Sequence, residues 1–275
     1  MKNILVPIDF SDNSVKALNL ADQIAKKNKG TVTLLHVLNF PLLEGFRANP
    51  AGEENIEEVI IKMEEMAEQR IKEMLKRISF GDEVNVEVLT GPVLKSILKF
   101  EKEGQFDLLV VGNKKKGTIG DHLFGTFTDK LVHKSSLPVL VVKEDTNFSE
   151  AENILMGSAF RLKDKELMQN VDIVKSLVQG SIELVRVSTP ADFMSQDVFD
   201  ERVRELVQLP DLRNCVFTSI NFKSTGDGLI YQAAKSEANL LVIGDKHRSS
   251  FRRWILGEDL AEKVMDYSNL PVLIL

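Results

Sequence analysis

The chain has 275 residues, of which 43% are hydrophobic and 28% are charged, and its formal net charge is −6. This length fits two domains better than one, and the acidic balance argues against general affinity for nucleic acid. The single cysteine, Cys215, excludes an intrachain disulfide and a cysteine-based zinc site. Neither a membrane helix of ~20 apolar residues nor a signal peptide is recognisable, so we expect a cytoplasmic protein that binds no nucleic acid and no membrane.

Short apolar segments alternate with amphipathic segments along the first half. Five of them, rich in Val, Ile and Leu, are predicted strands: Ile4–Ile8, Val32–Val37, Val84–Leu89, Leu108–Val111 and Val139–Val142. Helical spacing predicts helices between them, from Ser11 or Asp12 to Gly30, over 53 to 78, over Val93–Phe100 and over Thr126–Lys134. This order predicts a doubly wound parallel sheet, which binds ligands at the carboxyl ends of its strands near the topological switch point.

The second half repeats the first. KNILVPIDF at 2 to 10 reappears as ENILMGSAF at 152 to 160, LLHV as LVRV, FDLLVVGN as ANLLVIGD, and SSLPVLVV as SNLPVLIL. We therefore predict two domains, 1–145 and 150–275, each with a five-stranded parallel sheet. The two final strands, 139–142 and 272–275, are predicted to pair antiparallel and to form an intrachain pseudo-dimer, because each would otherwise be an unpaired edge.

The stretch VVGNKKKGTIGDHLFGTFTDKLV, residues 110 to 132, has the features of a phosphate-binding loop. Gly112 ends the fourth strand, and Gly125 precedes a helical pattern whose first amides, with the helix dipole, could bind an anion. The lysines at 114 to 116 would raise the local positive potential. The alternative is a solvated surface turn.

The whole chain resembles a tandem member of the universal stress protein family. The resemblance is carried by NILVPIDFS, LLHV, TGPV, DLLVVGN and LPVLVV. It implies an adenine nucleotide α-hydrolase-like fold and a role in the stress response. ATP, with or without Mg, is the implied ligand, and protein partners or a homodimer are the other implied contacts.

The family's ATP-binding loop reads G-x-x-G, nine residues, then G-[S/T], and this chain keeps that frame with Lys115 in place of the second glycine. A lysine there costs roughly 1 kcal/mol if φ is positive, whereas its ammonium can pair with a phosphate. These effects offset each other, so the sequence leaves nucleotide binding open. The resemblance assigns the following residues to the nucleotide: Pro7, Asp9, Val37, Gly112, Asn113, Lys115, Gly125, Thr126, Phe127 and Thr128.

Two of these residues have a second interpretation. Asp9 is expected beside the adenine and ribose, but it could also be a helix N-cap. The backbone of Val37 is expected at the adenine edge, but this residue could simply end a strand.

The second half keeps the glycine spacing of the loop, Gly244 to Gly257, but not its chemistry. His247 replaces the second glycine and Glu258 replaces the hydroxyl residue, while Ala159 stands where the first half has Asp9 and Gly157 where it has Pro7. A carboxylate at a helix N-terminus satisfies the amides itself and repels phosphate. We therefore predict a degenerate copy that does not bind ATP.

Nothing in the sequence argues for catalysis or for a metal. The four histidines, His36, His122, His133 and His247, have no ligand spacing, and no catalytic set is indicated by position. Two hypotheses follow. The chain is either a regulatory protein that responds to ATP, with slow hydrolysis as at most an incidental activity, or a nucleotide-free interaction module of the stress response.

Overall fold

The structure is a computed structural model, and it describes residues 2–39, 56–77, 84–113, 127–143, 153–160, 164–178, 180–244 and 260–275. These residues fall into two compact units. The first unit contains the described residues up to 113 together with 127–137, and the second contains those from 138 onward. The predicted boundary between 145 and 150 lies outside the described residues and stays a prediction.

The first unit is a parallel sheet with helices between its strands. Its strands are β1 (Asn3–Pro7), β2 (Thr31–Asn39), β3 (Val84–Gly91) and β4 (Leu108–Gly112), in the order β3-β2-β1-β4. Its helices are α1 (Asp12–Asn28), α2 (Ile56–Arg77), α3 (Val93–Glu103) and α4 (Phe127–Lys134). Because β1 and β4 are almost completely buried, their sequences are continuous apolar runs.

Helix α1 shows how the sequence sets a boundary. The Ser11 side chain accepts from the Ser14 amide, so Ser11, one of the two residues predicted to begin the helix, is its N-cap and Asp12 is not. The helix ends at Asn28, and the left-handed residue is Lys29, with φ 51°, instead of Gly30. Gly30 is needed for another reason, since a Cβ there would lie 2.2 Å from the carbonyl oxygen of Lys2.

The second unit contains six strands and four α-helices among its described residues. The strands are β5 (Val139–Val142), β6 (Asn153–Gly157), β7 (Ser181–Ser188), β8 (Val216–Asn221), β9 (Leu240–Ile243) and β10 (Val272–Ile274), in the order β5-β10-β9-β6-β7-β8. The helices are α5 (Asp164–Leu177), α6 (Gln196–Leu206), α7 (Thr225–Lys235) and α8 (Leu260–Tyr267), with a 3-10 turn at Pro210–Leu212. Strands β6 to β10 pair parallel, and β5 pairs antiparallel with β10. The expected α/β architecture with mostly parallel strands is therefore confirmed.

The internal repeat extends to the strand register. Asn3 lies opposite Thr31 in the β1–β2 pair, and Asn153 lies opposite Ser181 in the β6–β7 pair. In both pairs the hydroxyl donates to the asparagine Oδ1 at 3.2 Å. The two units therefore build their central strands in the same way, down to individual side chains.

The predicted pairing of the two final strands is confirmed. Val272, Leu273 and Ile274 lie opposite Val141, Leu140 and Val139, respectively. Just after β5, the buried Lys143 donates through Nζ to the carbonyl oxygens of Met265 and Ser268 at the end of α8. A cation suits this position, because the last carbonyls of a helix lack intrahelical partners. No helix within the described ranges is long and apolar enough to cross a membrane.

Candidate functional site

The carboxyl ends of β2, β1 and β4 form one edge of the first sheet. The strand order reverses between β1 and β4, which makes this edge a topological switch point, where doubly wound sheets bind ligands. Asp9 follows β1, Val37 lies near the end of β2, and Gly112 and Asn113 end β4. These four residues define the first strand-end site.

Val37 presents backbone groups beyond the end of β1. The last β1–β2 pair is Pro7 with Leu35, and the Ile8 amide donates to the Leu35 carbonyl at 2.9 Å. Alternate residues of a strand direct their N–H and C=O toward the same neighbour. The N–H and C=O of Val37 therefore point past the end of β1, where a planar ring with a donor and an acceptor on its edge could pair with them.

Asp9 is held as a carboxylate by the turn that leads into α1. The Ser11 amide and hydroxyl donate to Asp9 Oδ1 at 3.0 and 2.6 Å. Desolvation favours the protonated form, but these hydrogen bonds outweigh it and lower the pKa of Asp9 below its usual value. Asp9 is not the N-cap of α1, since Ser11 takes that position. At neutral pH the site therefore contains a charged acceptor.

Phe10 covers one side of this turn. It has a φ of 64°, a left-handed conformation that is uncommon for a non-glycine residue. Its ring lies 4.7 Å from the His36 ring, whose Nδ1 is 2.8 Å from the Ile8 carbonyl oxygen. From α2, the exposed Arg70 places its guanidinium carbon 4.2 Å from the Phe10 centroid. The Phe10 ring therefore lies in contact with both an imidazole and a guanidinium beside the turn that carries Asp9.

Gly112 is needed for packing against α1. A Cβ at this position would lie 2.4 Å from the carbonyl carbon and oxygen of Asn13 and 2.8 Å from the Ser14 amide nitrogen. The sequence suggested that this glycine lets a ligand approach the backbone. The structure shows that a glycine is needed here for the contact with α1, whether or not a ligand is bound. The Gly112 carbonyl also accepts from Thr128 Oγ1 at 3.4 Å, so this hydroxyl ties α4 to β4.

Asn13 is a site residue that the sequence analysis missed. Its side chain is 5% exposed, and its Oδ1 has no hydrogen-bond partner among the residues that the structure describes. The signal in the sequence was a polar residue on the buried stripe of α1, one turn before Ala17 and Leu18. A buried acceptor next to Gly112 suits a site that takes a hydrogen-bonding ligand.

The structure brings part of the predicted set together. Pro7, Asp9, Val37, Gly112 and Asn113 lie at adjacent strand ends. Phe127, 40% exposed, begins α4, and Thr128 is buried behind it. Lys115, Gly125 and Thr126 lie outside the described residues, as do His247, Gly257 and Glu258 of the second half.

The corresponding edge of the second unit, the second strand-end site, contains Ala159, Val187 and Gly244. Its backbone hydrogen bonding matches that of the first site, since the Ser158 amide donates to the Val185 carbonyl at 3.0 Å as the Ile8 amide donates to the Leu35 carbonyl. A Cβ on Gly244 would meet the Asn170 side-chain nitrogen at 2.8 Å, whereas one on Gly112 would meet backbone. No carboxylate stands at the position of Asp9 here, because that position is Ala159.

Fold and site together define an α/β protein with a doubly wound sheet and a polar strand-end site at its switch point. Residues 1–143 match the model of the universal stress protein family, and the chain belongs to that family.

Relatives extend this match over the full length. A universal stress protein of Mycolicibacterium smegmatis is 24% identical over 98% of this chain and 96% of its own. The universal stress protein MJ0531 of Methanocaldococcus jannaschii is 29% identical over 52% of this chain and 82% of its own. The crystal structure of a universal stress protein from Archaeoglobus fulgidus superposes with a TM-score of 0.71, at 19% identity, over 99% of this chain and 95% of that one. The last comparison supports the fold of both units.

Proposed function

We propose that this chain is a stress-response regulatory protein that binds an adenine nucleotide, expected to be ATP, at the first strand-end site. The observation that carries the proposal is the open backbone edge of Val37 next to the charged carboxylate of Asp9. The edge of an adenine ring offers a donor and an acceptor to such a strand, and the ribose hydroxyls can donate to a carboxylate. The residues present therefore fit this ligand.

The phosphates are assigned to the loop between β4 and α4. Helix α4 begins at Phe127, directly after the Gly125-Thr126 step that keeps the family's spacing. The first amides of a helix have no intrahelical acceptor and favour an anion. Lys115 would stand on the same loop, and Mg, when present, would be brought by the nucleotide.

The proposed role is binding and not catalysis. His36 is engaged with the Ile8 carbonyl and the Phe10 ring, and Asp9 is engaged with Ser11. Neither is poised as a general base toward a bound phosphate, so slow hydrolysis would be incidental. Occupancy of the site would act on the turn at Asp9 to Ser11 and on α4, and through them on protein partners.

The number of sites tests the proposal. Equilibrium titration of the full chain with a fluorescent ATP analogue is expected to show about one site per chain, since the second strand-end site has Ala159 in place of Asp9. ATP with Mg at 100 times its Kd should also stabilise the first unit by ~2.7 kcal/mol. Two equivalent sites would contradict the degenerate second copy. No binding at millimolar ATP would favour a nucleotide-free interaction module.

A charge placed at the start of α4 tests the phosphate assignment. Thr126→Glu copies the residue of the second half, Glu258, and puts a carboxylate where the phosphates should lie. ATP affinity should fall more than about tenfold. The matched control is Thr126→Gln, which has the same size without the charge and should change affinity far less. Equal affinity of the Glu variant and the wild type would mean that the phosphates bind elsewhere.

A further inference from the structure

Arg186 is a buried cation at the second strand-end site. It occupies the position in β7 that His36 occupies in β2, and its side chain is 3% exposed. Its Nη2 lies 2.9 Å from Asp192 Oδ1 and donates to the Asp192 carbonyl at 2.8 Å. Its Nη1 donates to Asp192 Oδ2 at 3.3 Å and to the Ala159 carbonyl at 3.4 Å. Both carboxylate oxygens therefore face the guanidinium fork.

The loop that supplies Asp192 is a closed turn. Thr189 and Asp192 exchange backbone hydrogen bonds at 3.2 and 3.0 Å, and the Asp192 amide also donates to the Thr189 hydroxyl oxygen at 3.1 Å. Ser188 Oγ, at the end of β7, accepts from the Met194 amide at 3.4 Å. The backbone thus presents the Asp192 carboxylate to Arg186 by local hydrogen bonds that do not depend on the carboxylate itself.

A buried guanidinium needs an anion. Removing it from water is costly, and the cost is offset only when a carboxylate and further acceptors surround it. Arg186 Nε is buried and has no hydrogen-bond partner among the described residues, so Asp192 and the Ala159 carbonyl carry the compensation for this cation. The first unit has His36 in place of an arginine at this position, and its Nδ1 lies 2.8 Å from the Ile8 carbonyl oxygen.

We infer that the end of β7 is a carboxylate-binding site whose ligand is supplied by the chain itself. Asp192 occupies it and closes the second strand-end site over the position that corresponds to Asp9. The ligand class is a small carboxylate that accepts two hydrogen bonds from Arg186. The assignment is independent of nucleotide binding by the first unit.

Chemical rescue tests this site in the full chain without any nucleotide. Asp192→Ala removes the carboxylate, leaves its space empty and should lower Tm by about 10 °C. Sodium formate should recover about half of that loss, whereas sodium chloride at equal ionic strength should not. The wild type should respond equally to the two salts.

Two controls separate a site from a general salt effect. The double variant Arg186→Met with Asp192→Ala should be more stable than Asp192→Ala alone and should not distinguish formate from chloride. Asp197→Ala removes an exposed carboxylate from the first turn of α6 and should lower Tm much less than Asp192→Ala, without creating a formate response. A formate effect of equal size in the double variant would overturn the assignment.

A second substitution covers the case in which Asp192→Ala does not fold. Asp192→Asn keeps the volume and the backbone turn but not the charge. Its Tm should lie between those of the wild type and Asp192→Ala. Formate should not raise it, because the asparagine side chain fills the space that formate would occupy. If the Asn variant is as stable as the wild type, the carboxylate is not needed and the inference is wrong.

Discussion

Three residues after its central strand, each unit has a phenylalanine with a positive φ, 64° at Phe10 and 54° at Phe160. In the first unit an exposed arginine, Arg70, stacks on that ring. In the second unit, the buried Phe199 packs edge-on against the Phe160 ring, with 5.3 Å between the ring centroids. The same backbone therefore carries an exposed cation–π contact at one edge, and a buried aromatic contact together with the buried Arg186–Asp192 ion pair at the other. Side chains at a few positions make this difference.

The largest expected effect separates these two aromatic contacts. Phe199→Ala should destabilise the second unit by about 3–5 kcal/mol, because it removes a buried aromatic ring. Arg70→Ala should cost the first unit less than about 1 kcal/mol, since an exposed cation–π contact contributes little. Native-state hydrogen exchange at 184–187 and at 34–37 reports on each unit separately. Equal losses would show that Arg70 closes its edge as firmly as Phe199 does.

A smaller difference in stability loss is expected for alanine substitution of two corresponding glycines, Gly112 at the end of β4 and Gly244 just after β9. Gly112→Ala should cost about 1–3 kcal/mol, because its Cβ would collide with the backbone of α1. Gly244→Ala should cost well under about 1 kcal/mol, because the Asn170 side chain can move. Exchange of amides in 108–112 and in 240–243 measures both changes. A tolerated Gly112→Ala would mean that α1 can shift away from β4.

The third test compares Lys115 with His247, which stand at the same position of the two loops. Lys115→Gly removes any backbone strain together with a charge that can pair with phosphate, so ATP affinity should stay within about tenfold of the wild type. His247→Gly, the matched change in the second loop, should not create a second site. A gain of a hundredfold or more for Lys115→Gly would identify the lysine as a block and the native chain as nucleotide-free.

The smallest effect is the pH dependence of Asp9. Its pKa is lowered by folding, so its contribution to stability is complete above the unfolded pKa of about 4 and is lost as the pH falls through the lower folded value. Asp9→Asn should therefore be slightly less stable than the wild type at pH 7, by less than about 1 kcal/mol because the group is exposed. The difference should shrink as the pH falls below the unfolded pKa and should vanish once Asp9 is protonated in the folded state as well. A Tm difference that persists after that protonation would point to packing instead of charge, and Ala159→Asn provides a pH-independent reference.

The sequence predicted those parts of the fold that local patterns determine. Apolar runs identified β1 and β4, the helical pattern identified α1 with Ser11 as one of two candidates for its cap, and the repeat of Pro-Val-Leu led to the pairing of β5 with β10. Each of these rests on periodicity or on an unpaired edge, which neighbouring residues encode.

The candidate site was predictable only where a residue acts near its own place in the chain. Asp9 and Val37 were assigned from the family resemblance, and the structure places them near the ends of β1 and β2. The role of Asp9 as an acceptor of the Ser11 amide was not foreseen. The close approach of Gly112 to Asn13 and the pairing of Arg186 with Asp192 and Ala159 depend on which elements become neighbours after folding. No spacing in the sequence encodes those contacts.

The antiparallel partner of β5 also has a consequence for biosynthesis. The residues of β10 are added to the growing chain long after those of β5, and at 5–20 residues per second the interval is on the order of ten seconds. During that interval the four apolar residues of β5 lack the strand that pairs with them antiparallel in the finished protein. An apolar strand edge is a template for association with other chains. Until β10 is added, β5 therefore offers newly made chains an apolar strand edge through which they can associate.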